Sequence, residues 1–170
     1  MQYRRSKASG GTYFFTVNLA DRSSTLLVEH VAELRQAVRT VKQRHPFNIL
    51  AWVVLPEHMH AVWALPFDDD DFSTRWMLIK MGFSRSIQRD ESIAASRLRK
   101  GERGIWQRRF WEHQIRDEND LARHIDYVHI NPVKHGHAGK ASDWPYSSIH
   151  RYIRHGLLAS DWAADANLPD

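Results

Sequence analysis

Two apolar runs parted by a single Pro-Glu pair constrain this chain more than any other feature. Phe47 to Leu55 (FNILAWVVL) and His58 to Leu65 (HMHAVWAL) are rich in β-branched and aromatic residues, and only Pro56 and Glu57 separate them. Such runs read as strands, and so short a break reads as the turn of a hairpin. Thr12 to Leu19 (TYFFTVNL), bounded by Gly10-Gly11 and Asp21, is a further strand. From Leu26 to about Arg44, Val31, Leu34, Val38 and Val41 recur at helical spacing before Arg44-His45-Pro46, which predicts an amphipathic helix with a proline stop.

A second helix is expected from near Ser73, after the acidic run Asp68 to Asp71, through Met77, Ile79 and Lys80 towards Ile87. Arg97 to Gly104 is charged and carries two glycines, which predicts a loop before a strand near Ile105 to Ile115. Asp117, followed by Glu118 and Asp120, is a good N-cap for a third helix that should stop at Asn131-Pro132. The order strand, helix, strand, strand, helix, strand, helix predicts an α+β fold: an antiparallel sheet covered by helices, of the split βαβ kind.

At 170 residues the chain can bury one good core, and seven Trp, five Tyr and seven Phe supply large side chains for it. One domain over residues 1–170 is expected, with a flexible tail after about residue 162. The absence of cysteine excludes disulfides, zinc-thiolate sites and thiol nucleophiles. No signal peptide is visible, and no run approaches the roughly 18 apolar residues of a membrane span, so a cytoplasmic protein is expected. The net charge of +4 is unevenly spread, with a strongly basic stretch from Arg85 to Arg109. A polyanionic partner fits that distribution, although many soluble basic proteins have none.

His58 and His60 are two apart on a predicted strand, so both imidazoles leave the same face while Met59 points to the other. Two ligands for one metal are thereby offered, yet a chain with eleven histidines also produces such a pair by accident. The third helix adds to it. At roughly 100° per residue, Leu121, Ile125 and Val128 share one stripe, and Asp120, His124, Tyr127 and Asn131 share a polar neighbour. Tyr127 and Asn131 lie one turn apart on that polar face, so a phenol can meet a phosphate while the amide offers a third metal ligand. Taken singly, Tyr127 reads rather as a tyrosine at a helix edge with its hydroxyl in water, and Asn131 as a helix-terminal residue before proline.

Three blocks now read together: WVVLPEHMHAVWALP from Trp52, FWEHQIRDENDLARHIDYVHINPVKHG from Phe110, and Ser142-Asp143-Trp144-Pro145-Tyr146-Ser147-Ser148. With the opening GGTYFFTVNL and the DDFSTRW segment, they closely resemble the REP-associated tyrosine transposases, in that family's order, over roughly Tyr3 to Trp162. The resemblance implies a ferredoxin-like catalytic domain of the HUH superfamily, with His58-Met59-His60 as its HUH motif. It implies Tyr127 as the single catalytic tyrosine and Asn131 as the third metal-binding residue. It also implies a bacterial protein, associated with the nucleoid, that acts on the single-stranded hairpins of repetitive extragenic palindromes. The long basic segment between Ile87 and Gly104 departs from the family pattern.

On that reading a divalent ion, Mg²⁺ or Mn²⁺, sits on His58, His60 and Asn131 and polarises the scissile phosphate. Tyr127 attacks to give a 5′-phosphotyrosine and a free 3′-hydroxyl, and the reverse attack rejoins strands. Cations for the DNA backbone are sought in Arg4, Arg5, Lys7, Arg75, Lys80, Arg108, Arg109 and Lys134, and base-stacking rings in Trp76, Trp106 and Trp111, for which core positions are the competing assignment. A non-catalytic hairpin-binding protein, a hydrolase using water as nucleophile and a mobile insertion-sequence transposase are the competing functions. Whether Tyr127 serves its own histidines or those of a second copy in a homodimer is left open by the sequence.

Overall fold

The Pro56-Glu57 turn does close a hairpin, with the Leu55 amide donating to the His58 carbonyl at 2.8 Å. The computed structural model describes residues 9–88 and 95–164. In it β1 (Thr12–Asn18), β2 (Asn48–Val54), β3 (His58–Ala64) and β4 (Trp111–Gln114) form one sheet in the order β2-β3-β1-β4. All three pairings are antiparallel. Between β1 and β2 run α1 (Leu26–Glu29) and α2 (Val31–Arg44), and between β3 and β4 run α3 (Phe72–Ser86) and the short α4 (Ala95–Leu98). Then follow α5 (Glu118–Lys134), a 3₁₀ turn at Ala141–Asp143 and α6 (Ile149–Arg154). This is the expected α+β, ferredoxin-like arrangement.

Strand parity sorts the side chains. Tyr13, Phe15 and Val17 of β1 and Met59, Ala61 and Trp63 of β3 pack with Leu34, Val38 and Val41 of α2 and Phe72, Trp76, Ile79 and Phe83 of α3. Phe14, Val53 and Val62 face the other way, onto Leu121, Ile125, Tyr127 and Val128 of α5. Both faces of β3 are therefore covered, and all its residues but Ala64 are buried. A slip of one residue would move His58 and His60 to the opposite face, so burial on both sides fixes the register that the site needs. The aromatic centre of the first cluster is the Trp63–Trp76 stack, with centroids 4.1 Å apart. At Gly82 a side chain would meet the Ala37 Cβ at 3.3 Å, so the missing Cβ lets α3 approach α2 closely.

Several elements differ from the sequence expectations. The first helix is divided at His30, and its opening turn is tied to the hairpin by the Leu27 amide, which donates to the Pro56 carbonyl. The fourth strand is shorter than Ile105 to Ile115, because Trp106 makes only an isolated bridge with Leu19 before the chain leaves the sheet and returns at Trp111. The third helix does not stop at Asn131-Pro132. Pro132 lacks one donor in the last turn, which costs one hydrogen bond there, and the helix runs on to Lys134, with His135 as its C-cap and Gly136 at φ +74° directly behind. The amides of Gly136 and His137 donate to the carbonyls of Val133 and Pro132, which closes the terminus.

Arg75 is a correction to the proposed DNA contacts. It is only 2% exposed, and its guanidinium donates to both Asp69 carboxylate oxygens and to the carbonyls of His45, Pro46 and Asp71. With its donors spent on fastening the end of α2 to the start of α3, Arg75 has none to offer a phosphate. Trp76 and Trp106 are core residues, whereas Trp111 is 58% exposed. Arg4, Arg5, Lys7, part of the basic segment and the tail from residue 165 lie outside the described residues. No helix among the described residues is long and apolar enough to cross a membrane.

Candidate metal centre and tyrosine

The site is assembled where β3 passes beneath α5. His58 and His60 point to the α5 face, and pairing with β1 sets Asn18 opposite His58 and Thr16 opposite His60. Each imidazole is held through Nδ1. That of His58 lies 2.7 Å from Glu57 Oε1 and that of His60 lies 2.9 Å from Thr16 Oγ1. With Nδ1 engaged, Nε2 of each ring is the atom left for an ion, which is the outer-sphere arrangement common to metal-bound histidines. The His60 Nε2 is buried and has no hydrogen-bond partner.

Asn131 repeats this pattern from the helix. Its side chain is completely buried, yet neither amide oxygen nor nitrogen finds a partner. Leaving such a group unsatisfied costs about 1–3 kcal/mol, so the buried Asn131 amide and the buried His60 nitrogen are both left able to take a ligand. The donor set of two imidazole nitrogens and an amide oxygen suits a divalent ion of intermediate softness. Those residues therefore fit a metal.

Tyr127, one turn before Asn131, is half-buried, with its ring 5.2 Å from that of His60 and 5.8 Å from that of Phe14. The Lys134 ammonium lies 5.6 Å from the Tyr127 ring centroid, a cation placed beside the phenol. Burial, and then the proximity of His58 and His135, depress the His60 pKa to about 3, which keeps that ring neutral and able to ligate. Burial likewise lowers His58, opposed by its bond to Glu57. For Glu57 burial works the other way, but the hydrogen bond and charge of His58 outweigh it and hold the carboxyl below its usual range.

Three residues next to these side chains were not legible in the sequence. Thr16 and Glu57 are partners whose roles depend on strand register and on the hairpin turn. His135 stands with its ring 5.1 Å from that of His58.

A second cluster lies further along the same face. His113 of β4, Asp120 and His124 bring one ligand atom each within 4.8 Å of one another, so by distance they too could hold a metal. Asp120, however, is already satisfied. Its carboxylate accepts from His113 Nε2 at 2.8 Å, from the amide and Nε of Arg116 and from Arg123 Nη2. Two guanidinium groups on one buried carboxylate compete with any cation, and the cluster serves to fix the start of α5 against β4. The hydrogen bond from His113 is the largest of the effects that hold the Asp120 carboxyl well below the usual carboxylate range.

The other proposed cations are dispersed. Lys80 donates to the Gln107 carbonyl and sits near the rings of Trp106 and Phe110, on the α2–α3 side of the sheet. There an open groove of about 680 Å³ runs between α3 and residues 101–110, flanked by Arg85 and Arg108. Arg108 is exposed and paired with Glu102 at 3.0 Å, and Arg109 is exposed. Only Lys134 among the described candidates is beside Tyr127.

A ferredoxin-like sheet with a strand-borne histidine pair beneath a helix-borne tyrosine is the architecture that the single-tyrosine HUH resemblance implies. No family model matches the chain. Among curated proteins, the chain is 50% identical over 164 residues to the REP-associated tyrosine transposase of Escherichia coli, covering 96% of this chain and 92% of the relative. It is 41% identical over 167 residues to a Haemophilus influenzae protein under the same family name, covering 98% and 95%. Among solved structures, a REP-associated tyrosine transposase bound to a REP hairpin matches with a TM-score of 0.87 and 48% identity, covering all of this chain and 94% of that one. The chain belongs to the REP-associated tyrosine transposases.

Proposed function

We propose that this chain is a single catalytic unit that cleaves and rejoins single-stranded DNA at REP-type palindromic hairpins, with Tyr127 as nucleophile and His58, His60 and Asn131 holding Mg²⁺ or Mn²⁺. The observation that carries this reading is the pair of unpartnered buried groups, the His60 imidazole and the Asn131 amide, beside the half-buried Tyr127 ring. A bound divalent ion would polarise the scissile phosphate and offset charge developing on it. Tyr127 Oη attacks phosphorus, its proton passing to water, and the bond to the 3′-oxygen breaks. That oxygen takes up a proton and leaves as a 3′-hydroxyl. The phosphotyrosine retains the energy of the broken ester, so another 3′-hydroxyl can reverse the attack.

In this reading one copy of the chain holds the whole set, which the 5.2 Å between the Tyr127 ring and that of its own His60 supports. DNA approaches from the Tyr127 side, where Lys134 meets a backbone phosphate. Trp111 is opposite Thr16 in the β1–β4 register, hence on the same face as His60, and its exposed ring can carry an unstacked base next to the scissile bond. The groove along α3 is a second track for single-stranded backbone. Such a substrate places the chain with the nucleoid in the cytoplasm.

The test is a binding titration of three DNAs at several salt concentrations: a hairpin with its single-stranded flank, the same hairpin without it, and a blunt duplex. Affinity should fall with salt for all three as counterions are released. The flanked hairpin should bind tightest, and Trp111→Ala should cost it about 1–3 kcal/mol through lost stacking. Equal affinities at every salt concentration would leave a generic basic protein and overturn the hairpin substrate.

A further inference from the structure

We propose that His124 handles the proton of the Tyr127 hydroxyl, taking it through one water when the tyrosine attacks and returning it when the strand is rejoined. This inference rests on the tyrosine reaction proposed above and names the group that accepts its proton.

The tautomer of His124 is fixed by its neighbour. Its Nδ1 lies 2.7 Å from the Asp120 carbonyl oxygen. A carbonyl only accepts, so Nδ1 carries the hydrogen and the lone pair is left on Nε2. The Asp120 carboxylate, with Oδ1 3.3 Å from the same Nδ1, places negative charge behind the ring. An oxygen acceptor on one nitrogen and a free second nitrogen are what ready an imidazole to take a proton. In the proposed reaction the Nε2 atoms of His58 and His60 are taken up by the ion, so neither can serve.

The ring is also held in place beside the phenol. His113 stacks on it with centroids 4.6 Å apart and planes at 16°. The side chain is 23% exposed, which leaves room for water. Tyr127 follows three residues later on α5, so the two are neighbours on the helix surface. Long helical side chains lean towards the N-terminus, which carries the phenol back over the turn that bears His124. Both rings rest on Phe14, whose centroid is 4.9 Å from His124 and 5.8 Å from Tyr127. The charged and titratable groups around this place are His113 of β4, Arg116 of the turn after it, and Asp120, Arg123 and Tyr127 of α5. His60 of β3 lies on Phe14 as well, and β1 turns no titratable side chain to this face.

A phenol is a weak nucleophile until its proton is removed, so a base at hand lowers the barrier. As the bond from Tyr127 Oη to phosphorus forms, Oη gives its proton to the water, and the water gives one to His124 Nε2. The electron pair of the breaking ester bond stays on the 3′-oxygen, which is protonated by solvent. In the reverse attack the His124 imidazolium returns its proton through water to Oη as the phosphotyrosine bond breaks.

The experiment follows adduct formation in a single turnover across pH, with the full chain, Mn²⁺ and a 3′-labelled hairpin oligonucleotide. In His124→Asn the amide nitrogen stands where Nδ1 stood and keeps the bond to the Asp120 carbonyl, while Nε2 is gone. This variant should form the adduct about 10²- to 10⁴-fold more slowly and lose the rise of rate with pH that wild type shows. Its hairpin affinity, Mn²⁺ affinity and melting temperature should stay close to those of wild type. In His124→Ala added imidazole should restore part of the rate, and more basic imidazoles should restore more. Should His124→Asn fail to fold, His124→Ala and its rescue carry the test alone. A wild-type rate in folded His124→Asn, or a slow His124→Ala that imidazole does not restore, would overturn this inference and leave Tyr127 as nucleophile. No adduct from wild type at any pH would overturn the tyrosine reaction and this inference with it.

Discussion

The Tyr127 ring stands edge-on to the His60 imidazole, with centroids 5.2 Å apart and planes at 72°, inside a single chain. Phe14 backs both, its ring 5.5 Å from His60 and 5.8 Å from Tyr127. Strand β3 and helix α5 of one molecule thus bring the proposed nucleophile and a proposed metal ligand together. Mixing Tyr127→Phe with His60→Ala should therefore restore no cleavage of a hairpin oligonucleotide, since neither copy has a complete centre. Activity in the mixture approaching about a quarter of wild type, one complete site in each mixed dimer, would show that the tyrosine serves another copy's histidines.

Thr16 holds His60 through Nδ1, so on the proposed reading its hydroxyl leaves Nε2 as the nitrogen that would face an ion. Thr16→Val keeps the shape and removes the acceptor. Mn²⁺ affinity should fall about 10- to 100-fold, with thermal stability changed far less, as measured by calorimetry and a melting curve. An affinity equal to that of wild type would mean that the hydroxyl has no part in the centre.

Acid should unfold the chain in two stages. His60 and His129 are buried and held neutral, with pKa values of about 3 and about 4, so the unfolded chain takes up their protons first and stability falls as pH drops below about 6.5. Asp120 acts lower. Its carboxyl is depressed in the fold, chiefly by the bond from His113, so its contribution is complete above the usual carboxylate pKa and is lost as pH falls through the depressed one. Asp120→Asn should lower the melting temperature at neutral pH and flatten its decline below about pH 4, leaving the stage between about pH 6.5 and 4 intact. An unchanged slope below pH 4 would contradict this.

The hairpin and the shared face of His58 and His60 were legible because strand parity is written into the alternation of residues. Tyr127 and Asn131 were legible for the same reason at helical spacing. His135 follows that same spacing, but Pro132 read as a stop signal hid it. What ends α5 is the left-handed Gly136, and a proline in the last turn removes only one bond. Arg75 could not be placed from sequence, because its burial depends on the loop that brings Asp69 back onto it. The Asp120 cluster was hidden similarly: His113 meets it only across the turn between β4 and α5.

The central claim is that Tyr127 becomes joined to DNA, and its most direct test is a denaturing gel of protein incubated with a hairpin oligonucleotide and Mn²⁺. Attack by Tyr127 leaves the 5′-phosphate on the enzyme, so an oligonucleotide labelled at its 3′ end should migrate with the wild-type chain while the 5′-labelled fragment is released. Tyr127→Phe, which removes only the hydroxyl, should bind the hairpin with little loss and form no adduct. An adduct formed by Tyr127→Phe, or cleavage by wild type that leaves no label on the protein, would contradict the assignment of Tyr127 as nucleophile.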